Sequence, residues 1–269
     1  MNHNYVHGYS LRETQRLREQ SVILEELLHS DINYSQGNKI LEAGCGVGAQ
    51  TVILAKNNPD SYFTSIDISQ DSINQARRRI DDEGISNVLF KKADINNLPF
   101  AENSFDHIFI CFVLEHLGKP QAVLSKLMNY LKPGGSVTVI EGDHGSCFWS
   151  PRTKASEAVW ISFIKTQSGL NHNGLIGREI YPLLKYSGFE RIDVSPKFAY
   201  ADGSNVKLLD SVLNQIIIPM VQTAKDRAIS ENLIDITTWQ TGINDLKKAG
   251  QPPDGTFFYT WFKGIGIKP

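Results

Sequence analysis

Residues 40–51 read ILEAGCGVGAQT, and this stretch decides how the chain folds. Glycine stands at positions 44, 46 and 48, directly after a short apolar run that contains Glu42. This spacing predicts a tight turn between a strand and a helix, because glycine adopts backbone angles that side chains forbid and lets a ligand approach the main chain. The stretch therefore predicts a binding loop formed by Gly44, Cys45, Gly46 and Gly48.

Taken alone, the loop fits two cofactor patterns. Gly44, Gly46 and Ala49 satisfy the dinucleotide fingerprint G-x-G-x-x-G/A. Glu42 with the three glycines satisfies the E/D-x-G-x-G-x-G pattern of methyltransferases that use S-adenosylmethionine (SAM). The loop by itself leaves both cofactors open.

Three more motifs follow the loop in a fixed order. They are SIDIS at 65–69, KADINNLPF at 92–100 and FDHIFICFVLEHL at 105–117. A lone glycine run is weak evidence of a cofactor, whereas an ordered set of four motifs is specific. With these motifs, the stretch from about Lys39 to Glu141 resembles the SAM-binding half of a class I methyltransferase, over less than half of the chain.

The expected fold belongs to the α/β class. Between residues 39 and 141, short β-rich runs alternate with helical runs, which predicts a parallel sheet covered by helices on both faces. The resemblance implies a Rossmann-like methyltransferase fold: a doubly wound, mostly parallel sheet of seven strands, with the last strand antiparallel beside the sixth. Helical patterns late in the chain predict an added helical cap over the active site.

One methyltransferase domain is expected over residues 1–269. Its predicted parts are a helical lid at 1–30, a SAM-binding core at 37–141, helical cap or insertions at 142–177 and 197–250, and the C-terminal part of the sheet at 178–196 and 255–267.

Composition restricts the partners and the compartment. The chain has 27 basic and 29 acidic side chains and a net charge of -2, so no long-range field would attract nucleic acid. No apolar run approaches the ~20 residues of a membrane span. The three cysteines show no metal-binding or disulfide spacing, which favours a reducing, cytoplasmic location without a metal site. Oligomeric state stays open.

The resemblance assigns roles to acidic and apolar residues at the strand ends. Glu42 would order the loop and contact the methionine part of SAM, and Asp67 would accept hydrogen bonds from both ribose hydroxyls. Asp67 would serve a nicotinamide cofactor equally well, so it does not discriminate. Asp94 does, because it would accept from the adenine amino group while the amide of Ile95 meets a ring nitrogen. Ile68 would pack on adenine or belong to the core.

The end of the fourth strand is the second part of the expected site. There the family lines the sulfonium and the methyl acceptor, and the candidates are Cys111, Phe112 and Leu114. His116, in the phrase LEHL, would line the cofactor. In the N-terminal lid, Tyr9 would close over the methionine part, or would precede a plain surface helix.

The function implied is transfer of a methyl group from SAM to a small organic acceptor by in-line displacement, with S-adenosylhomocysteine as the product. The protein would then mainly align the reactants and exclude water, with His144 as the candidate general base. A SAM-binding protein without turnover, acting as a sensor or partner, is the alternative. A nicotinamide oxidoreductase has less support, because no Tyr-x-x-x-Lys pair is recognisable.

Overall fold

The computed structural model describes residues 25–251 and 253–269. Its strands are β1 (Lys39–Ala43), β2 (Tyr62–Asp67), β3 (Val88–Lys92), β4 (Phe105–Cys111), β5 (Leu131–Ser150), β6 (Glu190–Asp202) and β7 (Thr256–Ile267). They form one seven-stranded sheet in the order β3-β2-β1-β4-β5-β7-β6. This order confirms the predicted doubly wound α/β sheet.

Helices follow β1, β2 and β4, and most of the described α-helices come after β5. They are α1 (Ala49–Asn57), α2 (Gln70–Asp82), α3 (Pro120–Met128), α4 (Lys154–Gly169), α5 (Ile180–Tyr186), α6 (Val206–Asp210), α7 (Ile218–Gln222), α8 (Lys225–Ser230) and α9 (Ile236–Ala249). Shorter turns are π-helical at Glu25–His29 and Ser211–Ile217, and 3-10 at Leu114–His116 and Ile176–Glu179.

Strand direction places the functional residues at one edge of the sheet. The pairs β1–β2, β1–β4, β2–β3 and β4–β5 are parallel. The end of β7 lies beside the start of β5, because the Gly134 amide donates to the Lys268 carbonyl at 3.0 Å and the Lys268 amide donates to the Gly135 carbonyl at 2.8 Å. The last strand therefore runs antiparallel, and the carboxyl ends of β1 to β4 meet at one edge.

The chain divides into two compact units. The sheet unit comprises Leu28–Gly142, Ile176–Lys197 and Trp261–Pro269. The helix-rich unit comprises Asp143–Leu175 and Phe198–Thr260. That all 269 residues work as one methyltransferase domain stays a prediction.

Burial explains why the central strands form. Ile108, Phe109 and Ile110 on β4 are all 0% exposed, as expected of a strand covered on both faces.

The helix α2 begins where the Ser69 hydroxyl accepts from the Ser72 amide at 3.2 Å, a side-chain cap that satisfies a free helical amide.

Two predicted boundaries are wrong. Helix is expected from residue 142, but β5 continues to Ser150 and the next helix starts at Lys154. The insertion expected from residue 197 likewise begins with strand, since β6 runs to Asp202. Glycine and polar residues weaken the local strand signal in 142–150, but pairing within the sheet overrides local propensity. Residues 1–24 of the lid predicted at 1–30 lie outside the described part of the chain.

Candidate functional site

The glycine loop joins β1 to α1 and is shaped by its surroundings. Gly44 has φ +85°, and a Cβ there would lie 2.5 Å from Val113 Cγ2. A Cβ at Gly48 would lie 2.9 Å from the Cβ of Ala76. Gly46 differs, because at φ +51° its missing Cβ would meet nothing within 4 Å. Gly44 and Gly48 thus stand where neighbouring residues leave no room for a side chain. Gly46 instead faces open space, where a ligand can reach the main chain.

The end of β2 holds this loop in place. The amides of Gly44 and Cys45 both donate to the Ile66 carbonyl at 2.9 Å. The Cys45 side chain is buried in an apolar cluster with Ile73 and Ala76, and burial raises the pKa of its thiol well above the usual value. The Cys45 side chain therefore belongs to the core, and its amide is occupied by the Ile66 carbonyl. That Cys45 contacts a cofactor stays a prediction.

Glu42 is buried beneath the loop. Its Oε2 accepts from the Thr51 hydroxyl at 2.7 Å and from the Ser65 hydroxyl at 2.6 Å. Burial raises the pKa of Glu42 from 4.5 to about 7, against the lowering effect of these two hydrogen bonds. The side chain ties β1 to β2 and to α1, which fits the predicted role of ordering the loop.

Asp67 connects the loop to the start of α2. Its Oδ2 accepts from the Gly46 amide at 2.9 Å, and its Oδ1 accepts from the Ser69 amide at 2.8 Å. Burial raises the pKa of Asp67, although the backbone amides of Ser69 and Gly46 oppose the shift. A carboxylate offers about four acceptor positions, so each oxygen can accept another hydrogen bond.

The turn after β3 contains Asp94. Its Oδ1 accepts from the backbone amide of Asn96 at 2.8 Å and from the Asn96 side-chain amide at 2.9 Å. Asp94 is therefore partly engaged in its own turn, beside the end of β2, where the Ala93 amide donates to the Asp67 carbonyl. Ile95 is half-buried against the core of the sheet unit.

Ile68 lies at the surface. It is 37% exposed at the end of β2, so the alternative that it is a core residue is wrong. An exposed isoleucine beside Asp67 is available to contact a flat apolar ligand group. That contact stays a prediction.

Two of the three residues predicted to line the site at the end of β4 are buried in the structure. Cys111 and Leu114 are buried, and Leu114 belongs to the core of the sheet unit. Phe112 adopts φ +57° and is half-buried, so it is the side chain of this group that retains exposure at the turn. His116 Nε2 lies 3.5 Å from Glu115 Oε1.

Glu141, at the carboxyl end of the sheet-unit part of β5, is not among the site residues that the sequence motifs predict. It is 0% exposed, and its Oε1 accepts from the amides of Val113 at 2.9 Å and Leu114 at 2.6 Å. Burial, with the nearby charge of Glu115, raises the pKa of Glu141 well above its usual value. The sequence feature that points to Glu141 is its position as a carboxylate at the end of the apolar strand run SVTVIE at 136–141.

His144 belongs to the helix-rich unit. Its Nδ1 lies 2.7 Å from the Tyr259 hydroxyl, and the Trp160 indole N–H donates to its carbonyl at 2.9 Å. Its ring also contacts Phe163, with the ring centroids 4.9 Å apart. Burial lowers the pKa of His144 from 6.5 to about 3, so the imidazole stays neutral near pH 7. Tyr9, the remaining candidate, lies outside the described residues.

Hydrogen bonds and strand ends thus bring the candidates of the sheet unit together. Glu42, the glycine loop and Asp67 form one bonded network, with Asp94 on the neighbouring strand end. The loop after β4 approaches the network through the Val113 contact at Gly44. Which of these groups touches a cofactor stays a prediction.

No part of the described chain supplies three metal-binding side chains in one group. None of the helices in residues 25–251 and 253–269 combines the length and the apolarity that crossing a membrane requires.

The chain is similar to known methyltransferases. Methyltransferase GfsG of Streptomyces halstedii is 30% identical over 126 residues, covering 46% of this chain and 45% of the relative. Demethylmenaquinone methyltransferase of Staphylococcus aureus is 29% identical over 147 residues, covering 54% of this chain and 59% of the relative. The chain thus spans about half the length of these relatives.

Among solved structures, phosphoethanolamine N-methyltransferase 2 of Haemonchus contortus is similar, with a TM-score of 0.58 and 18% identity. The match covers 93% of this chain and 53% of the other, and at this identity it bears on the fold alone. The family model described as a methyltransferase domain matches residues 34–188, which is more than half of the chain and contains the whole bonded network. The chain belongs to this methyltransferase-domain family.

Proposed function

We propose that this protein is a SAM-dependent methyltransferase that acts on a small organic acceptor. The observation that carries the proposal is the network at the strand ends: Glu42 and Asp67 brace a glycine loop whose Gly46 faces open space. Family membership supports the cofactor assignment, because the matched region contains every part of that network.

The residues fit an adenosyl cofactor. The open face of Gly46 admits a ligand to the main chain, and Asp67 keeps acceptor positions for ribose hydroxyls. Ile68 offers an exposed apolar surface to adenine, and Asp94 stands on the adjacent strand end. Together these groups would hold the amino-acid part, the ribose and the base.

When bound, SAM supplies an electrophilic methyl group, so the protein chiefly needs to align the acceptor and exclude water. The chain's own contribution is rigidity: Glu42 fixes the loop from below, and Glu141 fixes the amides of the loop after β4. In-line displacement is the reaction geometry that such alignment serves.

The relatives support a small acceptor. One is named a demethylmenaquinone methyltransferase, and one similar structure was solved in complex with phosphomonomethylethanolamine and S-adenosylhomocysteine. The net charge of -2 gives no support to a nucleic-acid partner. The three cysteines are free, in keeping with the proposed cytoplasmic location.

Calorimetric titration with SAM, S-adenosylhomocysteine and NAD tests the proposal. We expect both adenosyl ligands to bind and NAD not to bind. Asp94→Asn keeps an oxygen that can accept from the Asn96 amide but removes the carboxylate. The variant therefore tests the carboxylate's part in ligand binding while the hydrogen bond that shapes the turn is kept. It should weaken SAM binding at least tenfold, whereas the exposed control Asp81→Asn should not.

Binding of NAD alone, or of none of the three ligands, would overturn the cofactor assignment. Binding of SAM without release of S-adenosylhomocysteine, across quinol, amine and carboxylate acceptors, would favour the alternative of a sensor or partner protein.

The role of His144 as general base is also part of this proposal. A pKa of about 3 keeps the imidazole neutral near pH 7, so it can accept a proton, although as a weak base. If His144→Gln leaves kcat and the KM of the acceptor unchanged, His144 has no part in the reaction.

A further inference from the structure

Carboxyl groups without a balancing cation lie at the strand ends of the sheet unit. Glu42 on β1 is 2% exposed, Glu141 on β5 is 0% exposed, and Asp67 at the end of β2 is half-buried. Within residues 25–251 and 253–269, none of the three has a lysine or arginine at ion-pair distance. A buried charge without a partner is costly, so groups in this position tend to keep a proton.

The neighbours of Glu42 supply like charge or no charge. Asp67 on β2 acts on Glu42 as a like charge, and the charges of Glu42 and Glu141 both act on the Cys111 thiol at the end of β4. The other titratable neighbours stay neutral near pH 7, because burial raises the pKa of Cys45, Cys111 and Tyr34 and lowers that of His107.

Helix α1 contributes a hydrogen bond to Glu42 and no counter-charge. The Thr51 hydroxyl donates to Glu42 Oε2 at 2.7 Å, whereas Lys56 of the same helix is exposed and its ammonium lies 2.7 Å from Glu83 Oε2. Burial outweighs the hydrogen bonds to Glu42 and raises its pKa to about 7. Near pH 7, Glu42 is therefore divided about equally between its protonated and ionised forms.

The proposed cofactor and its product differ in charge at a single atom. SAM carries a sulfonium cation, whereas S-adenosylhomocysteine carries a neutral thioether, and the two ligands share the same amino and carboxylate groups. Gly46 has an open face where a ligand reaches the main chain, and its amide donates to Asp67, next to Glu42. A cation bound there favours the ionised form of a nearby carboxyl group, and salt screens a buried group only weakly.

We propose that binding of SAM releases the proton of Glu42 to solvent, whereas binding of S-adenosylhomocysteine leaves that proton in place. The inference rests on the proposed cofactor and adds a charge-dependent preference for SAM over its product. Ionised Glu42 attracts the sulfonium. After methyl transfer the thioether no longer stabilises the ionised form, so Glu42 takes a proton back from solvent and the product is held less tightly.

Calorimetric titration of the full chain at pH 6.5, in two buffers of different ionisation enthalpy, counts the protons released per ligand bound. At this pH the α-amino group of each ligand stays protonated. We expect about half a proton released per SAM and less than about 0.1 per S-adenosylhomocysteine. Glu42→Gln keeps an oxygen for the Thr51 and Ser65 hydroxyls and should abolish the release, whereas the exposed control Glu102→Gln should keep it.

The wild-type chain gives a second readout that depends on no variant. From pH 6 to pH 7.5, its preference for SAM over S-adenosylhomocysteine should rise at least about threefold, because most of the Glu42 proton is already lost at the higher pH. The preference should stay constant in Glu42→Gln.

Three results would overturn the inference: equal proton release by the two ligands, a wild-type preference that does not change with pH, or release that is kept in Glu42→Gln and lost in Glu141→Gln. In each of these cases both adenosyl ligands still bind, so the proposed function stands. Binding of neither ligand would overturn the proposed function and this inference together.

Discussion

Glu42 is a single side chain whose ionisation should govern how stability changes with pH. Burial raises its pKa in the folded chain from 4.5 to about 7, so the unfolded chain releases this proton at lower pH than the folded chain. The contribution of Glu42 is therefore most favourable below pH 4.5 and is lost as pH rises towards 7, by on the order of 2–3 kcal/mol.

Glu42→Gln should remove that pH dependence, because glutamine keeps an oxygen for the Thr51 and Ser65 hydroxyls and cannot ionise. Urea unfolding at pH 5 and pH 8 should show the wild type losing about 2 kcal/mol more than the variant. The exposed Glu102→Gln serves as control. Parallel pH dependence in wild type and Glu42→Gln would contradict the assignment.

The loop after β4 is an element whose shape depends on one distant carboxylate. Glu141→Gln keeps an oxygen for the amides of Val113 and Leu114, whereas Glu141→Met has a similar size and offers no acceptor there. Leaving two buried amides unsatisfied costs about 2–4 kcal/mol. Unfolding at pH 6 should therefore show Glu141→Met less stable than Glu141→Gln by that amount.

The same pair of variants addresses cofactor binding. If the loop contributes to the proposed site, Glu141→Met should also weaken SAM binding at least fivefold relative to Glu141→Gln. Equal stability of the two variants would mean that the amides find other partners and that Glu141 does not hold the loop.

Across the whole sheet unit, a small ion cluster joins segments that are far apart in the chain. Asp31 lies 2.7 Å from the Lys263 ammonium on β7 and 3.0 Å from the Lys197 ammonium on β6. Burial alone would raise the pKa of Asp31, but the two ammonium groups outweigh it and hold the pKa below its ordinary value. Lys263 is 4% exposed, so it depends on this carboxylate for its charge partner.

Asp31→Asn should lower the free energy of unfolding by about 1–3 kcal/mol at pH 7, because it leaves Lys263 buried without a counter-charge. Lys197→Met, at the more exposed lysine, should cost less than about 1 kcal/mol. A depressed carboxyl pKa stabilises the fold above the ordinary value of 3.8, and this contribution disappears as pH falls through the folded pKa. Acid titration of unfolding should therefore show the Asp31→Asn difference vanish; a constant difference would contradict it.

The sequence by itself determined the strand–loop–helix at residues 40–57, the alternation that builds the sheet, and the edge at which the candidate residues meet. These features follow from local rules: glycine spacing fixes a turn, β-rich runs form strands, and parallel strands end at one edge. Asp67 and Asp94 could be placed there because each directly follows or ends a recognisable strand.

Tertiary structure decided which side chains face the site and which face the core. Cys45 and Leu114 sit within ligand motifs yet point into apolar clusters, and Glu141 reaches amides 27 and 28 positions away. Sheet pairing also extended β5 through the glycine-containing stretch to Ser150. The contact between Asp31 and Lys263 spans 232 positions. Such partners meet only when distant segments fold together, so no local pattern in the sequence encodes them.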